Sequence, residues 1–372
     1  MVSGRELDYI REAIANRHLS GNGPFTRKCQ AWLVERLGAE KALLTHSCTA
    51  ALEMAAILSE VGAGDEVIMP SFTFVSTANA FVLRGATPVF VDIRDDTCNL
   101  DETLIEDAIT TRTKAIVPVH YAGVACNMSA ISEIADRRGL LVIEDAAQGI
   151  GSTYQGRPLG HLGDLAAVSF HETKNVIAGE GGALLVNHAR WAQRAEILWE
   201  KGTNRTQFFR GMVDKYTWVD IGSSYLPSEI NAAFLLAQLE VADGITASRL
   251  AVWDRYHDAF AEWERKGIAR RPAVPPDCRH NAHLYYLLFE NLPHRAAVQS
   301  VLRAQGIDAV FHYVPLHSSP AGRRFGRTAG SLTVTERNAD RLLRLPLWAG
   351  MTDEHIAAVT EAVSHALVQA HA

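Results

Sequence analysis

Between residues 41 and 186 short apolar runs alternate with helix-period stretches, and this alternation limits the fold more than any other feature of the chain. Lys41–Thr45, Glu66–Met69, Thr87–Val91, Ala115–Val119 and Leu140–Glu144 read as strands. Thr49–Glu60, Val75–Leu83, Asp101–Ile109 and Met128–Arg138 read as the helices between them. Two further β-rich runs, Ala166–Phe170 and Ala183–Val186, follow. Such a chain predicts an α/β fold: a largely parallel sheet with helices on both faces. After about residue 225 the pattern changes. Ser228–Arg249 and beyond predicts one long helix, His283–Phe289 and Ala309–Tyr313 predict strands, and Ala296–Gln305 and Asp353–Gln369 predict helices. The expected organisation is a large α/β domain over residues 1–225, then a connecting helix and smaller α+β domain over 226–372.

Composition removes several classes. Hydrophobic residues make up 48% of the 372 and charged residues 21%, as in globular proteins. A net charge of −6 without basic blocks argues against a nucleic-acid surface. The five cysteines are scattered and form no Cys-x-x-Cys, so neither a disulfide frame nor a metal site is expected, and a reducing cytoplasm fits. The uncharged stretches 67–83 and 115–132 contain Pro, Asn, Ser or Gly and read as buried strands and turns rather than membrane spans. No secretory leader or extra domain is expected before residue 20.

In an open α/β sheet, ligands bind beyond the carboxyl ends of the strands. Ser47-Cys48-Thr49-Ala50 lies at such an end and opens a helix, where free N–H groups and hydroxyls make a phosphate cradle. The plainer alternative is a helix cap. Asp145 closes Leu140–Asp145; a carboxylate there either holds a protonated ring nitrogen or caps the next turn. Lys174, just past Ser169-Phe170, is either a Schiff-base lysine carried into a cleft or a solvated loop residue. Phe72 and Phe74 are core, or one of them faces a flat ring. Gly179-Glu180-Gly181-Gly182 lacks the spacing of a nucleotide-binding loop and reads as a tight turn. A phosphate cradle, an aromatic, an acid and a lysine in this order together describe a pyridoxal phosphate site.

The motifs that carry these residues resemble the DegT/DnrJ/EryC1/StrS sugar aminotransferases, which have the aspartate-aminotransferase fold (fold type I). The resemblance runs from about Leu7 to the C-terminal helix. It rests on Gly21–Thr26, Gly64–Ile68, Pro118–Gly123, Glu144–Gln148, Ser169–Asn175 and Glu180–Gly182. Lys201–Arg205, Gly222–Ser228 and Leu342–Leu347 resemble the subgroup acting at C4 of dTDP-4-keto-6-deoxyglucose, the dTDP-4-amino-4,6-dideoxygalactose transaminase type.

The resemblance implies a cofactor, pyridoxal 5′-phosphate, alternating with pyridoxamine 5′-phosphate. It implies Lys174 as the Schiff-base lysine, Asp145 at the pyridine nitrogen, Phe74 on the ring and Gln148 near the 3′-oxygen. Cys48, Thr49, Ala50 and Ser169 would hold the phosphate. Ser224 stands where many relatives send an Asn from the neighbouring subunit to that phosphate. His312, Tyr313 and His317 match a segment lining the sugar-nucleotide pocket, and Arg205 is a candidate for the diphosphate. The implied partners are L-glutamate, leaving as 2-oxoglutarate, a dTDP-linked 4-keto sugar, and a second copy of the chain in a homodimer. Apolar Ile230, Ala233, Phe234, Ala237 and Leu239 are the expected source of that interface. Relatives that are sugar dehydratases carry His where Lys174 stands, which argues against that chemistry. A C3 aminotransferase and a non-catalytic cofactor-binding regulator are the remaining alternatives.

Overall fold

The computed structural model describes residues 3–370. Seven strands form the main body of a twisted sheet: β1 Lys41–Thr45, β2 Glu66–Pro70, β3 Thr87–Val91, β4 Thr113–Ile116, β5 Leu141–Asp145, β6 Leu165–Ser169 and β7 Gly182–Val186. Their order is β1-β7-β6-β5-β4-β2-β3, and the short strand Arg327–Thr328 extends the β3 edge. All neighbouring pairs are parallel except those of β7, which runs antiparallel to both β1 and β6.

The continuous apolar runs follow from burial on both faces. Along β7, Leu184 and Val186 join the core under helix Cys48–Leu58, while Ala183 and Leu185 join the opposite core with Phe25, Leu33 and Leu236. β1 and β6 alternate in the same way. Truncating one of these leucines to Ala would cost about 2–5 kcal/mol through lost transfer energy and the cavity left behind. A three-stranded antiparallel sheet, Ala269–Arg270, Tyr285–Phe289 and Leu342–Leu345, has its own core, with Tyr256, Phe260 and Val363 fully buried.

Three expectations are corrected. The stretch from Ser228 is two helices, Glu229–Glu240 and Ala242–Ala259, broken at Val241 with φ −113° and ψ 14°. Its apolar face is also largely covered within the chain: Ala233, Ala237 and Leu239 are at most 1% exposed, while Ile230 remains 39% exposed. Exposed apolar side chains gather instead on residues 208–221, where Phe209, Met212 and Trp218 are 65–77% exposed. Finally, Ala309–Tyr313 forms only an isolated bridge, Val310 with Arg344, and beyond it His312 stacks on Tyr313 and both side chains bond to the large domain instead of extending a ladder.

The first motif of the resemblance has a structural role. Glu229, buried on its helix, accepts hydrogen bonds from the N–H groups of Gly23 (3.1 Å), Phe25 (2.8 Å) and Thr26 (3.0 Å). A carboxylate thereby caps helix Pro24–Leu37, and a Cβ on Gly23 would lie 2.4 Å from the Glu229 carboxyl carbon.

Candidate active site

The carboxyl ends of β5 and β6 and the N-terminus of helix Cys48–Leu58 meet the small domain around a cavity of about 440 Å³. Lys174, Asp145, Cys48, Thr49, Phe74, Gln148, Ser169, His312 and Tyr313 all line it. These residues span more than 260 positions of sequence, and the sheet brings them together because β5 and β6 are neighbours.

Much of the large-domain wall is hydrogen-bonded. Ser47 caps its helix, its Oγ accepting from Ala50 N–H at 3.1 Å. The first-turn N–H groups of Cys48 and Thr49 have no acceptor within the helix, so they are available to an anion. The Thr49 and Ser76 hydroxyls lie 2.7 Å apart beside them. Gly182 is required here, since a Cβ would lie 2.4 Å from Cys48 N. Asp145, 5% exposed, accepts from Thr77 Oγ1 at 2.6 Å and from Ala147 N–H at 3.1 Å, and Thr77 pairs with Thr73 at 2.8 Å. The cap expected of Asp145 is therefore real and coexists with a carboxylate facing the cavity.

Lys174 has no hydrogen-bond or ion-pair partner among the described residues. Burial holds its ammonium below the usual lysine range, with the Arg344 cation adding to the effect against the pull of Asp145. Desolvation favours the neutral amine, the form that acts as a nucleophile or proton carrier. Gln148 Oε1 accepts from Ala122 N–H at 2.7 Å, and its Nε2 donates to Tyr313 OH at 3.2 Å. Phe72 is core at 1% exposure, whereas Phe74, 61% exposed, opens onto the cavity.

The small-domain wall consists of His283, His312, Tyr313 and Arg344. Burial pushes His312 down to about 3, Tyr313 up to about 12 and His283 well below the imidazole range. His312 Nδ1 meets Tyr121 OH at 3.2 Å, and His283 Nδ1 meets Asn175 Oδ1 at 3.1 Å. Asn175 in turn donates to Asn281 O at 2.8 Å.

Four candidates lie elsewhere in the subunit. Ala50 is buried behind the helix start, with its N–H already taken by Ser47. His317 is held by Ser71 (2.7 Å) and Glu336 (3.3 Å), so its ring does not reach the cavity. Arg205 pairs with Glu200 at 3.5 Å and lies over Phe209 on an exposed short helix. Ser224 is exposed and its backbone bridges to Glu200. Sequence reasoning missed Thr77, His283 and Arg344. Thr77 lies one helical turn after Thr73, and Arg344 interrupts the apolar strand Leu342–Leu345; both are weak signals in a sequence.

Pyridoxal phosphate fits this donor set. An unpartnered lysine amine, a fixed carboxylate and free helix N–H groups line the same cavity. Among the described residues there is no cluster of three metal-binding side chains and no helix long and apolar enough to cross a membrane.

Known proteins of this shape carry the same chemistry. The chain is 36% identical to the GDP-perosamine synthase of Caulobacter vibrioides over 99% of this chain and 96% of that protein. The crystal structure of the aminotransferase TlmJ from Streptoalloteichus hindustanus superposes with a TM-score of 0.91 at 30% identity, covering 100% of this chain and 98% of the other. The sugar aminotransferase Spr1654 of Streptococcus pneumoniae, described as putative, is solved in PLP and PMP forms. The PMP form superposes with a TM-score of 0.92 at 26% identity, covering 99% of this chain and 98% of that one. The model of the DegT/DnrJ/EryC1/StrS aminotransferase family matches residues 2–364. With the family matched along nearly its whole length, the chain belongs to the DegT/DnrJ/EryC1/StrS aminotransferases and is a pyridoxal phosphate-dependent sugar aminotransferase of fold type I.

Proposed function

We propose that the enzyme moves the amino group of L-glutamate to C4 of dTDP-4-keto-6-deoxy-D-glucose, releasing 2-oxoglutarate and a dTDP-4-amino-4,6-dideoxyhexose. The observation that carries the amino-transfer chemistry is the convergence of half-buried, unpartnered Lys174 with Asp145 in one cavity. The choice of sugar is supported by Lys201–Arg205, Gly222–Ser228 and Leu342–Leu347, which resemble the C4 subgroup.

Bound in the cavity, pyridoxal phosphate supplies the electron sink that lets an amino group leave one carbon and join another. Lys174 holds the cofactor and, once freed, carries the proton to or from the reacting carbon on its Nζ. Asp145, fixed by Thr77 and the Ala147 N–H, keeps a ring nitrogen protonated through a charge-assisted bond. Cys48 and Thr49 N–H groups, with the Thr49 and Ser169 hydroxyls, bind the phosphate, and Phe74 covers the ring. Gln148, oriented by Ala122 N–H and Tyr313, faces the ring's oxygen. His312 and Tyr313 line the sugar side of the cavity. The exposed apolar segment 208–221 packs on a second copy, which brings Ser224, and with it Arg205, to the neighbour's cavity. Trp218→Asp should then halve the light-scattering mass and weaken cofactor retention; an unchanged dimer would remove this interface.

The deciding experiment is incubation with glutamate and the dTDP-4-keto sugar, with NMR of the product. The H3–H4 coupling assigns the galacto or gluco configuration. GDP- and UDP-linked 4-keto sugars and a dTDP-3-keto sugar serve as competitors. Equal turnover of a 3-keto sugar, or preference for a GDP sugar as the similarity to a GDP-perosamine synthase allows, would refute the proposed substrate.

A further inference from the structure

His283 lies just before the small-domain strand Tyr285–Phe289, buried, with its ring lining the cavity that holds Lys174. Its backbone is pinned on both sides: the N–H donates to Asn281 Oδ1 at 2.9 Å, and the carbonyl accepts from Arg249 at 2.5 Å. The ring is set by a chain of obligations that begins at another carbonyl. Asn281 O can only accept, so Asn175, 2.8 Å away, must turn its Nδ2 to it. That leaves Asn175 Oδ1, also an acceptor only, 3.1 Å from His283 Nδ1. Nδ1 therefore carries a proton. Burial and the Lys174, Arg249 and Arg344 cations oppose a second proton, so the ring is neutral and Nε2 keeps a bare lone pair. Nε2 has no hydrogen-bond partner among the described residues, and the cavity is open to it.

A lone pair held in this way calls for an N–H or O–H donor. Lys174 is the donor that the fold brings to it. Asn175, which sets the imidazole, is the next residue of the turn that carries Lys174, and of the charges acting on the ring Lys174 is the strongest. Two other acceptors of the cavity are committed, Asp145 to Thr77 and Ala147, and Gln148 Oε1 to Ala122. The tautomer matters because an amine has a single lone pair. An Nε2–H would donate to that lone pair and quench the base. A bare Nε2 instead takes one of the amine's N–H groups and leaves the lone pair turned away from the ring. Resting on the reading of Lys174 as the proton carrier, we propose that His283 is a positioning residue: its Nε2 accepts an N–H from the freed Lys174 amine and directs the amine's lone pair to the reacting carbon.

The test uses the holoenzyme in its pyridoxamine phosphate form, in which Lys174 is free, with isotope-labelled histidine side chains. Nitrogen NMR is expected to show His283 with its proton on Nδ1 and a bare Nε2. Asn175→Ala frees the tautomer and should move the proton to Nε2 in part of the molecules. His283→Phe keeps a ring but has no acceptor. It should lower kcat about 10- to 100-fold, the scale of a misplaced reacting group, and leave KM for glutamate and the keto sugar within about twofold. The isotope effect from α-deuterated glutamate should rise, because proton transfer becomes slower. His283→Gln, with an amide oxygen as acceptor, should recover part of the loss. A proton on Nε2 of the wild type, or a doubly protonated ring, overturns the inference. So does a His283→Phe enzyme with kcat and isotope effect unchanged. A loss confined to KM for the keto sugar assigns the lone pair to a sugar hydroxyl and also overturns it. Should His283→Phe fail to fold, Asn175→Ala carries the same kinetic test. Lys174→Ala separates the two readings. If it keeps turnover, the proton-carrier reading falls and this assignment with it; if it loses turnover while the His283 variants keep wild-type rates, this assignment alone falls.

Discussion

The two walls of the cavity are built on different principles. On the large-domain wall most groups are tied to their own scaffold, Ser47 to Ala50, Thr49 to Ser76, Asp145 to Thr77 and Ala147, and Lys174 and the first-turn N–H groups are left open. On the small-domain wall His283, His312 and Tyr313 are each held by a bond to a large-domain side chain, and only Arg344 is untied among the described residues. His283 and His312 are held neutral by burial. A wall tied to its own scaffold fixes positions and so suits a resident group that must be aligned within a fraction of an ångström. An untied charge costs free energy until a ligand arrives, which suits substrates that come and go. In the proposed reading, the first wall serves the cofactor and the second the substrates.

That contrast can be broken at its strongest point first. Lys174→Ala should lower amino transfer by about 10³-fold or more, because no other amine faces the cavity, while the cofactor still binds without a covalent bond. Borohydride reduction and peptide mapping should label Lys174 in the wild type; label on Lys201 or Lys215 would undo the division of roles. Asp145→Asn keeps the shape but removes the charge, and a loss of about 10²-fold in turnover is expected. Near-wild-type turnover would reduce Asp145 to the cap it already makes with Ala147.

Two smaller effects probe the second wall. His283 is 4% exposed and its pKa in the folded protein lies well below the ordinary 6.5. Below pH 6.5 the unfolded chain therefore binds a proton that the native site refuses, and stability falls on acidification. The contribution reaches about 2 kcal/mol between pH 7 and pH 5. Urea midpoints should show a flatter pH dependence in His283→Gln than in the wild type; parallel curves would mean that His283 is protonated in place. Tyr313→Phe should cost about 1 kcal/mol of stability by removing the acceptor of Gln148 Nε2. If the Tyr313 hydroxyl also meets the sugar, KM for the keto sugar rises with it; an unchanged KM would confine Tyr313 to orienting Gln148.

The sequence by itself determined the large sheet. The strands are largely apolar runs buried on both faces, β4 with its exposed Lys114 being the exception, so local pattern and tertiary environment mostly agree, and Lys174 and Asp145 follow as residues just beyond or at such runs. It did not determine the direction of β7. An apolar strand between two others reads the same whether parallel or antiparallel, and only the long return from Ser169 to Gly182 around the Gly182 contact decides it. Local pattern misled in the later part of the chain. A helix-period run continued across Val241, where the backbone breaks, and the apolar face seemed to need a partner that the large domain supplies for Ala233 and Leu239. His312 and Tyr313 looked like strand because their aromatic rings suit one, yet they bond to Tyr121 and Gln148, 191 and 165 residues away, and lie outside the ladder. The unpartnered state of Arg344 belongs wholly to the tertiary structure. A sequence shows that a charge is present, but only packing shows whether any acid reaches it.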